Sequence, residues 1–310
     1  MAKDDRQDNG CGISPGAGDA GDYRVFDRRA VRRNRERAAA GFDDHAFLIR
    51  EIADRMAERL MEINRPFARA LDLGSHDGAM IGHLRRRGSE LVVATDLAPA
   101  FAATLAAPRL VADEELLPFA DDSFDLVTSV LSLHWANDLP GTLLQVRRAL
   151  RPDGLFLGAI FGAETLRELR QAFLEAESLI EGGVSPRVSP FTDIRLAGAL
   201  MQRAGFALPV VDSDTITVTY PDALSLMRDL KGMGEANAHL ERRQGFTRRR
   251  TLMTVAEAYH ARHGLPDGRI PATFQILYLT GWKPHESQQK PLRPGSGKVS
   301  LTQVLGNRAG

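Results

Sequence analysis

The chain has 310 residues, 43% of them hydrophobic, and its 40 Lys and Arg are balanced by 40 Asp and Glu. A neutral chain of this composition can bury a sizeable core, and its overall charge gives no pointer to nucleic acid. The single cysteine, Cys11, excludes an internal disulfide, a cysteine zinc cluster and an iron–sulfur centre, and no apolar run approaches the length of a membrane span.

Residues 1–22, rich in Gly, Asp and Asn, read as a disordered tail. With no apolar stretch for secretion and several acids that argue against a transit peptide, the expected compartment is the cytoplasm. An arginine-dense run follows: Arg24, Arg28, Arg29, Arg32, Arg33, Arg35 and Arg37. It reads either as a solvated helix face packed by its stems or as a docking surface for an acidic partner. The spacing of Leu48, Ile52, Met56 and Leu60 predicts a helix over 47–63.

From residue 68 short apolar runs alternate with helical stretches. Strands are predicted at 68–73, 91–95, 110–112, 124–129 and 155–161, the last after a Pro152-Asp153-Gly154 turn. Helices are predicted at 78–87, 99–106 and 139–150. Near-continuous apolar strands separated by helices mean an α/β fold with a parallel sheet covered on both faces. Beyond Phe161, helices are expected at 164–180, 193–204, 221–231 and 251–263, and strands at 215–219 and 273–279. The Gly/Pro/Ser segment 181–192 reads as a loop, and residues 182–190 within it read as a lid hinge or a plain connector.

The chemistry sits at the strand tips. The first strand ends in Leu71-Asp72-Leu73-Gly74-Ser75-His76-Asp77-Gly78. An acid followed by glycines at a strand-to-helix turn suits a ligand lying across that turn, with free N–H groups for a carboxylate. The second strand ends in Asp96-Leu97, where a carboxylate can accept both ribose hydroxyls. The third ends in Asp113-Glu114, where an acid can accept an adenine amino hydrogen. Three acidic tips on one sheet edge make a nucleoside site at the switch point.

These residues resemble the class I S-adenosylmethionine-dependent methyltransferases, whose pattern is acidic-x-Gly-x-Gly-x-Gly. Asp72, Gly74 and Gly78 match it. His76 stands where the middle glycine lies, so either the loop is rebuilt or the ring turns away from the cofactor, and the second is expected. The resemblance implies S-adenosyl-L-methionine as cofactor, held by Asp72, Gly74, Ser75, Gly78, Asp96, Leu97, Asp113, Glu114 and Ser129. It also implies a Rossmann-like, seven-stranded, mostly parallel sheet with a helical insertion.

Further motifs narrow the likeness. They are Val25-Phe26-Asp27-Arg28, Ser132-Leu133-His134-Trp135-Ala136-Asn137-Asp138, Ser189-Pro190-Phe191-Thr192, Gly232-Met233-Gly234-Glu235 and Gly281-Trp282-Lys283-Pro284-His285-Glu286-Ser287. Together they look like the arginine-hydroxylase assembly factors of respiratory complex I, over residues 25–300. That resemblance implies action on an arginine of a complex I subunit. It also implies a protein partner, peripheral association at the inner membrane, and for a bacterial homologue a cytoplasmic site. The division expected is a tail at 1–22, basic and amphipathic helices at 23–66, the cofactor core at 67–161, a helical lid insertion with closing strands at 162–283, and an arm at 284–310.

Two residues of the loop after the fourth strand are catalytic candidates: His134 as general base or orienting donor, and Trp135 as a surface for a planar guanidinium. Each also has a plainer reading, as a capped loop histidine and as core. Asn137 or Asp138 can cap the next helix. No acid precedes Asp138 in this loop, so a guanidinium must rely on Trp135 and on groups from the insertion. His239-Leu240-Glu241 has the local spacing of an iron triad, but among eight histidines and 40 acids such a pair arises by chance, and no metal is assigned. Two other functions stay open. One is O-methylation of a small or carrier-bound acid, since the segment 113–119 is shared with malonyl-carrier methyltransferases. The other is a non-catalytic cofactor-binding scaffold.

Overall fold

The computed structural model describes residues 24–289; the expected tail at 1–22, and residues 290–310 of the expected arm, lie outside the described residues. The N-terminal region forms α1 (Arg28–Ala38), a short 3-10 turn and α2 (Phe47–Met61). Asp27 starts α1 by accepting from the Ala30 amide at 3.0 Å. On α2 the predicted stripe of Leu48, Ile52, Met56 and Leu60 is buried against the sheet layer.

The core then runs β1 (Arg69–Leu73), α3 (Ala79–Arg86), β2 (Leu91–Asp96), α4 (Pro99–Thr104), β3 (Arg109–Val111), β4 (Phe124–Val130), α5 (Leu139–Ala149) and β5 (Leu150–Phe161). The remainder supplies α6 (Arg167–Ile180), α7 (Ile194–Arg203), β6 (Ala207–Tyr220), α8 (Ala223–Gly232), α9 (Arg249–His263) and β7 (Ile270–Trp282). One sheet orders the strands β3-β2-β1-β4-β5-β7-β6. β1 to β5 are parallel, and β7 and β6 close the edge antiparallel. This is the class I methyltransferase architecture expected from sequence. The chain winds outward from β1 to β3 and returns to β4, so the strand order reverses between β1 and β4. Helices α5 and α7 cover one face of the sheet, and α2, α3, α6, α8 and α9 contribute to the core on the other.

Three strands run longer than their prediction; β7 covers Ile270–Trp282 where 273–279 was expected. β5 starts at Leu150, because the Pro152-Asp153-Gly154 turn is a bulge inside the strand, with Asp153 at φ 62° and a register shift against β4. β6 spans 14 residues where only 215–219 were predicted. Its first half carries Asp212-Ser213-Asp214, too polar to read as a strand. Its backbone bonds are satisfied by β7, and Asp212 and Asp214 pair with Arg59 and Arg55 of α2. The expected lid is tied down: the Thr273 amide of β7 donates to Glu168 of α6 at 3.3 Å, and the Leu166 amide donates to the Thr273 carbonyl at 2.7 Å. Among the described residues no helix is long and apolar enough to cross a membrane.

Candidate cofactor and acceptor site

β1 ends in a turn that only glycine can make at two points. Gly74 and Gly78 have φ of 69° and 80°, and a Cβ on Gly74 would lie 2.0 Å from the Ser132 hydroxyl. The glycine thus makes room for a side chain of the β4 loop as well as for any ligand. Asp72 is buried beneath the turn. Thr128 donates to its Oδ1 at 2.9 Å, its Oδ2 has no partner, and burial, aided by nearby Asp96, pushes its carboxyl up to about 6. Ser75 donates its hydroxyl to the Asp72 carbonyl at 2.9 Å.

His76 sits at φ 49° with its ring fully buried, parallel to Phe42 and edge-on to Phe101. Burial, reinforced by the Arg35 guanidinium, lowers its pKa, so the ring is neutral. Its amide donates to Asp96 Oδ2 at 3.1 Å. Asp96 is itself buried and accepts from the Ala98 amide at 2.8 Å. Leu97 packs with Phe26, Val31 and Trp135. Ser129 lies further back, its hydroxyl donating to the Leu73 carbonyl at 2.8 Å.

The arginine run is divided between a solvated face and an inward pair. Arg28 and Arg35, seven residues and two turns apart, face inward from α1 onto the acid cluster. Arg35 is 1% exposed; it donates to Glu114 at 3.0 Å and to the Ser132 hydroxyl at 2.8 Å, and reaches Asp96 at a long 3.5 Å. Arg28 donates to Asp113 at 2.5 Å and to Glu114. Burial pushes the Glu114 carboxyl up, but the two arginines outweigh it and hold it down at about 2. Arg29, Arg32, Arg33 and Arg37 face solvent as a surface helix should. The inward pair was legible only as a spacing, since the acids it meets come 61 and 79 residues after Arg35 and 85 and 86 after Arg28.

Beside these acids the β4 loop carries His134 and Trp135. Both donate to one oxygen of Glu235, His134 Nε2 at 3.0 Å and Trp135 Nε1 at 2.9 Å. The His134 ring packs on Phe161 at 4.6 Å and Trp135 stands edge-on to Phe26 at 5.2 Å, and both are buried. Asn137 clamps the segment before α1 by accepting from the Val25 and Phe26 amides, whereas Asp138 caps α5. A cavity of about 530 Å³ borders Trp135 and Glu235, walled by α6, α8 and the 187–191 loop. That loop is held by Glu177, which accepts from the Ser185 amide at 2.8 Å and from Arg187 Nε at 2.6 Å. His285 lies at the surface, bonded to Ser287. Among the described residues no group of three or more His, Cys, Asp or Glu is placed to hold a metal ion.

A model of the methyltransferase domain matches residues 71–158, the span from β1 to β5. Over 287 residues the chain is 42% identical to "Arginine-hydroxylase NDUFAF5, mitochondrial" of Danio rerio, covering 90% of this chain and 89% of that one. The chain belongs to the class I S-adenosylmethionine methyltransferases and is related to NDUFAF5. The Homo sapiens NDUFAF5 is 40% identical over 96% of this chain and 89% of its own. A malonyl-[acyl-carrier protein] O-methyltransferase of Halorhodospira halophila is 42% identical over 84% of this chain and 90% of its own. A Bacillus halodurans protein assigned as a methyltransferase shares the fold at 15% identity, with a TM-score of 0.53 over 74% of this chain and 99% of that one. Of the acids at these strand tips, Asp113 keeps a third of its side chain exposed, whereas Asp96 and Glu114 are buried beneath Arg28 and Arg35 of α1.

Proposed function

We propose that this methyltransferase-family protein binds S-adenosylmethionine between the Gly74–Gly78 turn and the acids of β2 and the β3 loop, and acts on an arginine of a complex I subunit during assembly. The donor set suits the cofactor. Asp96 is buried, and Arg35 holds it only at 3.5 Å, longer than a good hydrogen bond, so a ribose hydroxyl can replace the guanidinium there when α1 gives way. Asp113 keeps a third of its side chain exposed. When bound, the cofactor supplies an electrophilic methyl group beside the β4 loop. The chain's own residues shape the acceptor cavity, fix His134 and Trp135 through Glu235, and exclude water by the apolar walls.

The observation that carries the reading is the reach of the similarity. At 90% of this chain, it reaches well beyond the matched domain at 71–158 and takes in α6 and α8, which wall the cavity. A second reading, O-methylation of a carrier-bound acid, is favoured by the equal identity to the Halorhodospira halophila enzyme. High-resolution peptide mass of complex I subunits from wild-type and deletion cells, grown with methyl-labelled methionine, separates the two. An arginine mass addition lost on deletion is the expected result: an added oxygen without label marks hydroxylation, and label on the peptide marks methylation. No change in any subunit would leave the carrier-bound acid as the better account.

A further inference from the structure

Two arginines of α1 take up the carboxylate oxygens that a nucleoside would need. Glu114 Oε1 accepts from Arg35 at 3.0 Å and from the Ser132 hydroxyl at 2.6 Å, and its Oε2 accepts from Arg28. Asp113 accepts from Arg28 on both oxygens, at 2.5 Å and 3.4 Å. Asp96 accepts from the His76 and Ala98 amides and, at 3.5 Å, from Arg35. Asp96 and Glu114 are 0% and 1% exposed. A carboxylate without accessible surface cannot come within hydrogen-bond distance of an external hydroxyl until its cover moves. The Arg35 guanidinium also holds the Ser132 hydroxyl at 2.8 Å, and that hydroxyl stands against Gly74, where a Cβ would meet it at 2.0 Å.

The cover is a helix with the features of a releasable part. Arg35 Nε is buried without a partner and the reach to Asp96 is long, so the buried cation is not fully satisfied. Six residues beyond Arg35, Gly41 breaks the 3-10 turn at 39–44 with non-helical dihedrals. α1 and its capping residue are also tied to the segment 236–242. The Asp27 amide donates to the Ala238 carbonyl at 2.8 Å, Asn34 Nδ2 to the Ala236 carbonyl at 2.8 Å, and Arg242 to Asp27 at 2.9 Å. Ala236 and Asn237 line the cavity between α6 and α8. We infer that α1 is an autoinhibitory latch: Arg28 and Arg35 hold the strand-tip acids closed, and the cofactor binds only to molecules in which α1 has released them. This rests on the reading of these acids as the cofactor cleft. Closed and open forms compete, so the latch lowers the apparent affinity in proportion to the open fraction. Through the ties to 236–242 its release reaches a wall of the cavity, which links the two sites.

The test is calorimetric titration of wild type, Arg35→Gln and Arg28→Gln with S-adenosylmethionine. Both variants should bind at least about fivefold more tightly than wild type, the lower end of the coupling that two-state elements show. Damage to the fold would weaken binding, so a gain reports release of the acids. Should Arg35→Gln not fold, Arg28→Gln carries the test, since Arg28 lies at the edge of the cluster with 14% of its side chain exposed. Deuterium exchange without ligand should rise over 28–38 in the variants, and over 236–242 with it, while β1 to β5 stay as in wild type. Equal or weaker binding by the folded variants overturns the latch and leaves the cofactor reading standing, because arginines that coexist with the cofactor or contact it would give that result. Unchanged exchange over 28–38 overturns the latch too. No binding by any of the three proteins at millimolar ligand overturns the cofactor reading, and the latch with it.

Discussion

Glu114 stands between Arg28 and Arg35, and its titration is a measure of how firmly α1 is held on the cleft. Its folded value of about 2 lies below the ordinary 4.5, so the folded state binds its proton less readily than the unfolded chain. Its stabilisation, about 3 kcal/mol, is therefore fully present above about pH 4.5 and lost as pH falls toward 2. Asp72 works in the opposite sense. Burial raises it from 3.8 to about 6, so the fold gives up stability as pH rises between those values. Urea midpoints measured from pH 2.5 to 7 should rise on the acid side, and Glu114→Gln should show a shallower rise. An unchanged acid limb in the variant would mean that the arginine pair does not hold Glu114 ionised. His76 makes a second residue-scale case. Its ring fills space between Phe42 and Phe101, so His76→Gly should cost about 2–4 kcal/mol of stability by urea unfolding. Cofactor affinity by calorimetry should change by less than about tenfold. A larger loss of affinity would put the ring on the ligand.

At the scale of elements, what covers the acids is α1 and not the insertion. Deuterium exchange on adding S-adenosylmethionine should change most in 28–38, while α6, pinned to β7 through Glu168 and Thr273, changes little. Protection confined to 167–192 would restore the insertion as the moving part. The elements that position the acids were legible because each is local: Asp72, Asp96 and Asp113 announce themselves beside a glycine turn or at the end of a short apolar run. α1 was legible as a helix and not as part of the site. Arginines on a helix read as surface unless their partners are known, and Asp96 and Glu114 belong to other elements. β6 was missed in its polar half because its stability comes from pairing with β7, which no local pattern reports.

For the molecule as a whole, the sheet order follows from alternating elements and right-handed crossovers, so the fold could be read before any contact was seen. The acceptor side could not. Glu235 was visible as part of a motif, but its bonds to His134 and Trp135 span 101 and 100 residues, and only the assembled β4 loop and α8 bring them together. What joins donor and acceptor sides is Arg35, buried between Glu114, Asp96 and Ser132. Calorimetric titration of wild-type protein and Asp96→Asn with S-adenosylmethionine is the most direct check on the central claim, that these strand tips form a nucleoside-cofactor cleft. Asn retains the shape and one acceptor, so the fold should persist. Binding in wild type, weakened by about 1–3 kcal/mol in the variant, is the predicted result; no binding at millimolar ligand, or equal affinity in the two proteins, would contradict it.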